Sequence, residues 1–496
     1  MFSKQNVERT TEHVDIIIVG AGISGVGGAY HLAKECPDKT FLVLESLDNF
    51  GGTWWTHRYP GIRSDSDLHT FGYRFKPWTG APIATSEQIL KYMGEVIEDN
   101  NLAQHIRYKH RIESAQWSSE NNVWTVQVRR GESGELLHFT ATFLWMCQGY
   151  YRHSEGYTPE WPGMSDFKGV LIHPQHWPED FSCDNKRVVV IGSGATAATL
   201  VPAIADKVAH VTLLQRSPTY FIPGRNAIEL AETLRELEVD ETWIHEIVRR
   251  RILKDQANFA RRASEEPEVV TQELLAGVRA ILGQDYDIKK HFTPSYRPWR
   301  QRVAFVPGGD LFHSIRSGKA SVETDEIVRF KANGILLKSG KMLEADAVVT
   351  ATGFNLSALG DIVFDIDGKR LELADTVTYR GLMFTGVPNL LWVMGYFRAS
   401  WTLRADLVAD FFIHLLHEMK RKEAKKVVPT LRAEDADMVL GPWVSTENFN
   451  PGYIARGMHL MPKSGDKPEW QHTQDYWGEK DSLPTAFLSD DCLEFK

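Results

Sequence analysis

An α/β architecture is what this 496-residue sequence predicts, and three observations predict it. An apolar run, Val14 to Val19, opens directly into Gly20-Ala21-Gly22-Ile23-Ser24-Gly25 and then into helix formers through Lys34. Strand, glycine turn and helix in that order begin a Rossmann-like unit. The succession recurs at Arg187 to Ile191, which runs into Gly192-Ser193-Gly194-Ala195-Thr196-Ala197, a helix and a strand at Val211 to Leu214. On either side of that second unit an apolar strand ends on a glycine followed by an aromatic, at Gln148-Gly149-Tyr150 and at Ala351-Thr352-Gly353-Phe354. These matching ends suggest where the chain leaves and re-enters its first domain. The expected fold is two Rossmann-like dinucleotide-binding domains, the second inserted in the first, with a helical insertion.

In the first unit, the strand Phe41 to Leu44 ends on Glu45, about twenty residues past the third glycine, where an acid can accept the hydroxyls of an adenosine ribose. Next come Gly51-Gly52-Thr53-Trp54-Trp55 and Arg58-Tyr59-Pro60-Gly61-Ile62-Arg63-Ser64-Asp65. A loop so dense in glycine, aromatics and charge suits a flat ring, and Asp65 is its candidate functional residue. Alternating apolar positions from Ile106 to Val128, with Trp117 and Trp124, predict a small antiparallel excursion. Phe167 to Pro178 is too irregular in polarity for a plain strand or helix and reads as a linker into the second unit.

Aligned on their second strands, the two units place Gln215 where Glu45 stands, with Arg216 directly after it. A carboxylate there repels a 2′-phosphate, whereas a neutral residue followed by an arginine can pair with one, so the second nucleotide is expected to be NADP. Residues 225–290 carry helical spacing, and their clusters Arg249-Arg250-Arg251 and Arg261-Arg262, interleaved with acids, read as solvated helix faces. Thr293 to Arg302 is non-helical and could place an arginine at a cleft; spacing leaves Arg297, Arg300 and Arg302 open. A helix is expected through Lys420, and the tail from about Gly441, rich in Pro, Trp and Tyr, reads as an ordered wrap.

Composition narrows the function. A net charge of −9 and a pI near 6.1 argue against nucleic acid as partner. The first residues hold no apolar core of a leader, and Gly381 to Phe397 is broken by Pro388 and Asn389, so a cytoplasmic chain with no transmembrane segment is expected. Cys36, Cys147, Cys183 and Cys492 form no C-x-x-C pair, which removes a dithiol centre and a zinc knuckle. One domain that holds a dinucleotide through an acid, with another inserted that prefers a phosphorylated one, is the layout of a flavoprotein: FAD first, NADPH second. Without a dithiol, oxygen is the expected electron acceptor.

Phe167-x-Gly169-x-x-x-His173-x-x-x-Trp177-Pro178 resembles the fingerprint of type I Baeyer–Villiger monooxygenases. The segments G-G-T-W, R-Y-P-G-I-R-S-D-S-D, H-P-Q-H-W-P-E-D, G-S-G-A-T-A, Q-R-S-P-T-Y, W-T-L-R-A-D-L-V and P-G-Y resemble the ethionamide-activating subgroup of these class B flavoprotein monooxygenases, over nearly the whole chain. The resemblance implies FAD, NADPH and O2, a C4a-peroxyflavin, and a small ketone or sulfide substrate converted to an ester, lactone or sulfoxide. A flavin monooxygenase devoted to N- or S-oxygenation is the alternative. The Baeyer–Villiger resemblance implies that Arg302 is the catalytic arginine and Asp65 its partner. It places Gly20, Gly22, Gly25, Glu45, Gly52, Thr53, Trp54, Asp65, Gly192, Gly194, Ala195, Thr196, Arg216, Ser217 and Trp401 at the cofactors. Gln301 stands where the family usually has a lysine, which puts discrimination against NADH mostly on Arg216. The expected boundaries are 1–155 and 341–496 for the FAD domain, 156–178 for the linker, and 179–340 for the NADP domain. His173 is expected to govern domain closure rather than act as a base.

Overall fold

A computed structural model describes residues 11–445 and 449–496; most of the amino-terminal stretch read for a leader lies outside them. The chain begins with β1 (Glu12–Val19), α1 (Ile23–Glu35) and β2 (Phe41–Leu44), then α2 (Thr53–Thr56), α3 (Leu68–Phe71) and α4 (Ser86–Asp99). The expected excursion follows as β3 (Ile106–Arg107), β4 (His110–Ser118), β5 (Val123–Arg130) and β6 (Glu135–Met146). The chain leaves through β7 (Tyr151–Gly156) and β8 (Val170–Ile172) to β9 (Arg187–Ile191), α5 (Ala195–Ile204), β10 (His210–Gln215) and β11 (Phe221–Gly224). Helices α6 (Glu229–Glu236), α7 (Glu241–Glu265), α8 (Pro267–Leu282) and α9 (Ile288–His291) form the insertion. Then come β12 (Ala304–Pro307), α10 (Asp310–Arg316), β13 (Ala320–Thr324), β14 (Ile327–Lys331), β15 (Gly334–Leu337), β16 (Met342–Glu344) and β17 (Ala347–Thr350). The return is β18 (Phe354–Leu356), β19 (Val363–Ile366), β20 (Lys369–Arg370), β21 (Thr378–Tyr379), β22 (Met383–Phe384) and β23 (Leu390–Trp392), followed by α11 (Trp401–Arg421) and α12 (Gly452–Gly457).

The first sheet runs β20-β19-β4-β5-β6-β1-β2-β3, with β23 also on β6. β6 joins its two characters: residues 135–141 pair antiparallel with β5, while residues 139–146 pair parallel with β1. β2 and the Ile16 to Val19 end of β1 are buried on both faces, which is why they read as apolar runs. Two glycines let α1 lie close on this core, since a Cβ at Gly28 would stand 3.1 Å from the Trp145 ring and one at Gly27 2.9 Å from that of Tyr73. Helix α11 packs against α1 in the same core, with Phe412 on Trp145.

The second sheet is parallel throughout, in the order β13-β10-β9-β17-β8. It corrects two expected boundaries. β17 does not open the second half of the first domain; it lies between β9 and β8, with Val348 opposite Val189 and Leu171. β8 falls within the expected linker yet forms the edge of this sheet. The causes differ: the apolar run of β17 shows that a strand is buried, not which sheet buries it, whereas β8 is a short edge strand with Val170 and Leu171 exposed and carries no buried-strand pattern. The second unit is inserted in the first, and the actual crossings, β7 outward and β18 back, pair antiparallel with each other.

The insertion is helical as expected, with one correction to its basic clusters. Arg250 and Arg251 are exposed and pair with Glu246 and Asp255 one turn away. Arg249 is buried, and its Nη1 donates to the carbonyls of His69 (2.7 Å), Thr70 (3.3 Å) and Gly72 (3.3 Å). These are carbonyls at the end of α3, which has no following turn to satisfy them. Among the described residues no helix is long and apolar enough to cross a membrane.

Candidate active site

The first glycine turn is closed by contacts that exclude a side chain. Gly20 takes a φ of +97°, and a Cβ at Gly25 would stand 1.8 Å from the Gly20 carbonyl oxygen. Gly52, at a φ of +54°, brings its own backbone against Gly22. Thr53 and Trp54 therefore begin α2 over the mouth of the turn, with Trp54 set edge-on to Phe71. Helix α1 has no side-chain cap, so its first N–H groups face out of the turn unclaimed, an arrangement that suits a pyrophosphate. The Gln148 amide, at the tip of β6, is buried with neither its oxygen nor its nitrogen partnered. Such orphaned groups fit a ligand at this mouth, and FAD, with phosphates for the turn and polar ring edges for the amide, has the chemistry to meet them.

Glu45 is more occupied than the sequence implied. One carboxylate oxygen accepts the Ala21 N–H (2.7 Å), and the other accepts from the Leu47 N–H (2.8 Å) and the Ser46 hydroxyl (3.2 Å). Burial pushes its carboxyl up against the pull of those bonds. Glu45 thus braces the turn, with one lone pair, on Oε2, remaining for a ribose hydroxyl.

The second turn is built alike. Gly192 adopts a φ of +130° with a Cβ position 2.2 Å from the Ala351 carbonyl oxygen, while Gly194 faces open space and begins α5 without a side-chain cap. Ala195 and Thr196 follow as the first residues of that helix. The Ser193 hydroxyl donates to the Ser217 carbonyl (3.0 Å), which ties the loop after β10 to the turn. Gln215 is engaged within the protein: its amide nitrogen donates to the His291 carbonyl (2.7 Å) and the Thr324 hydroxyl (2.9 Å). Arg216 and Ser217 are exposed, and Arg216 pairs with no carboxylate among the described residues. A guanidinium left without a protein anion beside a glycine turn fits a 2′-phosphate.

Arg302, one of the three open arginines, reaches across the domain boundary. It lies just before β12 in the second domain, yet its bonds go to the first. Its Nε and Nη2 meet the Asp65 carboxylate at 2.5 and 2.8 Å, Nη2 also meets the Ser66 hydroxyl (2.9 Å), and Nη1 donates to the Phe397 carbonyl (3.1 Å). Burial works against its charge, and the Asp65 carboxylate outweighs it, so the guanidinium is held more firmly charged than usual. Arg300 is exposed, and Arg297 reaches the Pro298 carbonyl (3.4 Å).

The Arg58-to-Asp65 loop is turned less toward a ring than toward the other domain. Tyr59 is buried in the core of the second unit, with its hydroxyl in bonding reach of Thr196. A Cβ at Gly61 would stand 2.4 Å from that of Ala203 in α5, and Arg63 forms a two-point pair with Asp310 at 2.5 and 3.1 Å. The loop therefore docks one domain on the other and leaves Asp65 at the junction.

Each fingerprint residue has a physical task. The Phe167 ring packs on Phe330 and against Gly169, whose Cβ position lies 2.4 Å from the Asp346 carbonyl oxygen, so β8 can approach β17. His173 bonds the Gly353 carbonyl (3.1 Å) through Nε2, and its Nδ1 accepts the Gln175 N–H (3.2 Å), which fixes the Nε2–H tautomer. Its ring fills the space a side chain at Gly156 would need. It thus touches both crossing strands, β7 and the approach to β18. Trp177 packs edge-on to Phe181 at the core of the second domain. Burial lowers the His173 pKa, and it drives that of nearby His57 down to about 3.

Sequence reasoning missed three tyrosines. Tyr150 donates to the Tyr151 hydroxyl (2.7 Å), and Tyr453, from the P-G-Y segment, reaches both. Tyr150 also stacks on Trp401 at 5.1 Å and 8°, and the Trp401 indole donates to the Ser24 hydroxyl (2.8 Å) in the first turn. The recurring aromatic after each strand-end glycine was the available signal; its meeting with Tyr453, some 300 residues on, was not.

Two dinucleotide turns with one arginine set between their domains are the arrangement of an oxidoreductase that handles two nucleotide cofactors. The comparisons agree. Residues 81–227 match a profile described as flavin-binding monooxygenase-like, and residues 18–78 match an NAD(P)-binding Rossmann-like domain. The FAD-containing monooxygenase EthA of Mycobacterium tuberculosis is 44% identical over 487 residues, which cover 98% of each chain. The probable FAD-binding monooxygenase AlmA of an Acinetobacter species is 43% identical over 490 residues, 98% of this chain and 96% of that one. In fold, ε-caprolactone-bound cyclohexanone monooxygenase matches with a TM-score of 0.75 at 21% identity over 98% of this chain and all of that one. Steroid monooxygenase bound to NADP matches with a TM-score of 0.75 at 21% identity over 97% and 99%. The chain belongs to the family of FAD-containing monooxygenases and is a flavoprotein monooxygenase.

Proposed function

We infer that the chain is a Baeyer–Villiger monooxygenase, which uses NADPH and O2 to insert one oxygen beside the carbonyl of a small ketone and also oxygenates soft heteroatoms such as thioether sulfur. The observation that carries this reading is the interdomain pair of Arg302 with Asp65. FAD, when bound, supplies the redox chemistry and the activation of dioxygen. The residues then divide the remaining work. The turn at Gly20, Gly22 and Gly25, with Gly52, Thr53, Trp54, Glu45 and Trp401, holds FAD. Gly192, Gly194, Ala195, Thr196, Arg216 and Ser217 hold NADPH, with Arg216 on the 2′-phosphate. Arg302 offers a fixed positive charge where negative charge builds on oxygen, and Asp65 aims it. His173 positions the two domains at their crossing.

Purified protein supplied with NADPH, a methyl ketone and a thioether tests the reading by gas chromatography of the products. Ester formation is expected, with sulfoxide beside it. Sulfoxide without any ester would refute it in favour of a heteroatom oxygenase.

A further inference from the structure

A guanidinium carries five N–H bonds, and the surroundings of Arg302 engage four of them. Nε–H and one N–H of Nη2 meet the Asp65 carboxylate, the second N–H of Nη2 meets the Ser66 hydroxyl, and one N–H of Nη1 meets the Phe397 carbonyl. The fifth, also on Nη1, has no acceptor among the described residues and is the donor left for a reacting oxygen. Asp65 grips one edge of the planar group and leaves it able to rock about that edge. The Phe397 carbonyl, on the opposite side, stops the rocking and so decides where the last N–H points.

That carbonyl is itself held from the carboxy-terminal wrap. The Phe397 ring is buried, stacked on Phe449 (centroids 5.6 Å apart, planes at 11°) and edge-on to Trp443 (5.7 Å, 87°). The Phe397 N–H donates to Gln474 Oε1 at 2.6 Å, from a residue 77 positions further on. Only an oxygen can accept that N–H, so the Gln474 amide has one orientation, and its nitrogen donates to His472 Nε2 at 3.1 Å. His472 is buried and stacked on Trp443 (4.9 Å, 27°), and burial beside Arg404 keeps its ring neutral, so this nitrogen can accept. The hydrogen bonds therefore run in one direction, from Arg302 to Phe397, from Phe397 to Gln474 and from Gln474 to His472. Bonds arranged in this way polarise and strengthen one another.

We propose that Gln474 is a positioning residue for oxygen transfer, which fixes the Nη1 side of Arg302 through the Phe397 main chain. The proposal rests on the oxygenation reading above. With the hold intact, negative charge that builds on oxygen meets a fixed guanidinium, and ketone, O2, NADPH and one proton become ester, water and NADP+. With the hold removed, the charge is misaimed and the reduced oxygen leaves before transfer: O2, NADPH and one proton become hydrogen peroxide and NADP+.

The test compares holoenzyme with Gln474→Met, which keeps the length of the side chain and removes the acceptor, on NADPH and a methyl ketone. Ester formed per NADPH is expected to fall about 10- to 100-fold, the scale on which a small misplacement of a reacting group acts, with hydrogen peroxide making up the difference. Bound FAD and KM for NADPH are expected to persist. Gln474→Glu returns an oxygen to the Phe397 N–H and is expected to recover most of the ester. In an Arg302→Lys background, where there is no Nη1 to aim, Gln474→Met is expected to leave the residual ester per NADPH as it was. Unaltered coupling in Gln474→Met, no recovery in Gln474→Glu, or an equal further loss in the lysine background overturns the proposal while leaving the oxygenation reading intact. Wild-type protein that forms no ester would instead sink that reading, and this proposal with it. Where Gln474→Met does not hold FAD, Gln474→Asn decides, since it keeps the amide but falls one methylene short: reduced coupling with FAD bound supports the hold, and unaltered coupling overturns it.

Discussion

At the scale of single residues, the account turns on two arginines with opposite surroundings. Arg302 is fixed by four hydrogen bonds, two of them to Asp65. Asp65→Ala removes the carboxylate that outweighs burial, so the guanidinium is freed to rotate. Turnover is expected to fall about 100-fold with FAD retained, as for loss of one preorganised electrostatic group, and steady-state kinetics beside a flavin spectrum read both. Arg216 has no carboxylate partner among the described residues. Arg216→Ala is expected to raise KM for NADPH about 10- to 100-fold, the worth of one charge-assisted phosphate contact, with little change for NADH. Equal effects on both nucleotides would remove Arg216 from the phosphate site. These residues were unequally legible. Arg216 follows a strand end in a local pattern, whereas Asp65 and Arg302 lie 237 positions apart, and only folding joins them.

At the scale of elements, the two crossings and the helical insertion carry predictions. His173 ties the crossing near Gly156 to Gly353, so His173→Ala should slow NADPH-linked turnover while FAD stays bound; loss of FAD would instead place the segment in the flavin site. The fold holds His173 below its ordinary value of 6.5 because it is buried and its Nδ1 accepts a backbone N–H. The fold thus favours the neutral ring. Its contribution to stability is complete above the ordinary value and is lost as pH falls through the lower folded one. The Tm advantage of wild type over His173→Gln should therefore shrink as the buffer is taken from neutral into the acid range, and a growing advantage would contradict the tautomer. In the insertion, Arg249→Met takes the guanidinium from the His69 and Gly72 carbonyls at the end of α3, while Thr70 keeps the Thr402 hydroxyl, and should cost about 2 to 3 kcal/mol, the range for bonds to a charged donor, read by denaturant unfolding. The glycine turns were legible because backbone geometry demands glycine locally. The sheet that owns β17 and the burial of Arg249 were not, since apolar runs and basic clusters look alike whichever partner they meet.

At the scale of the whole molecule, the second domain is held against the first by a loop that the sequence reading had turned toward a cofactor ring. Tyr59, Gly61 and Arg63 dock on α5 and α10, and Asp65, two residues further on, meets Arg302. The Asp65–Arg302 pair therefore forms only when the domains are seated, so the arrangement of charge at their junction depends on how the second domain sits on the first. What this seated molecule does with oxygen is the central claim. Isotopically heavy dioxygen, given to the holoenzyme with NADPH and a methyl ketone, tests it most directly by mass spectrometry of the product. One heavy atom in the ester, with one NADPH consumed per ester, is the predicted result. NADPH consumption that yields hydrogen peroxide and no labelled ester would contradict it.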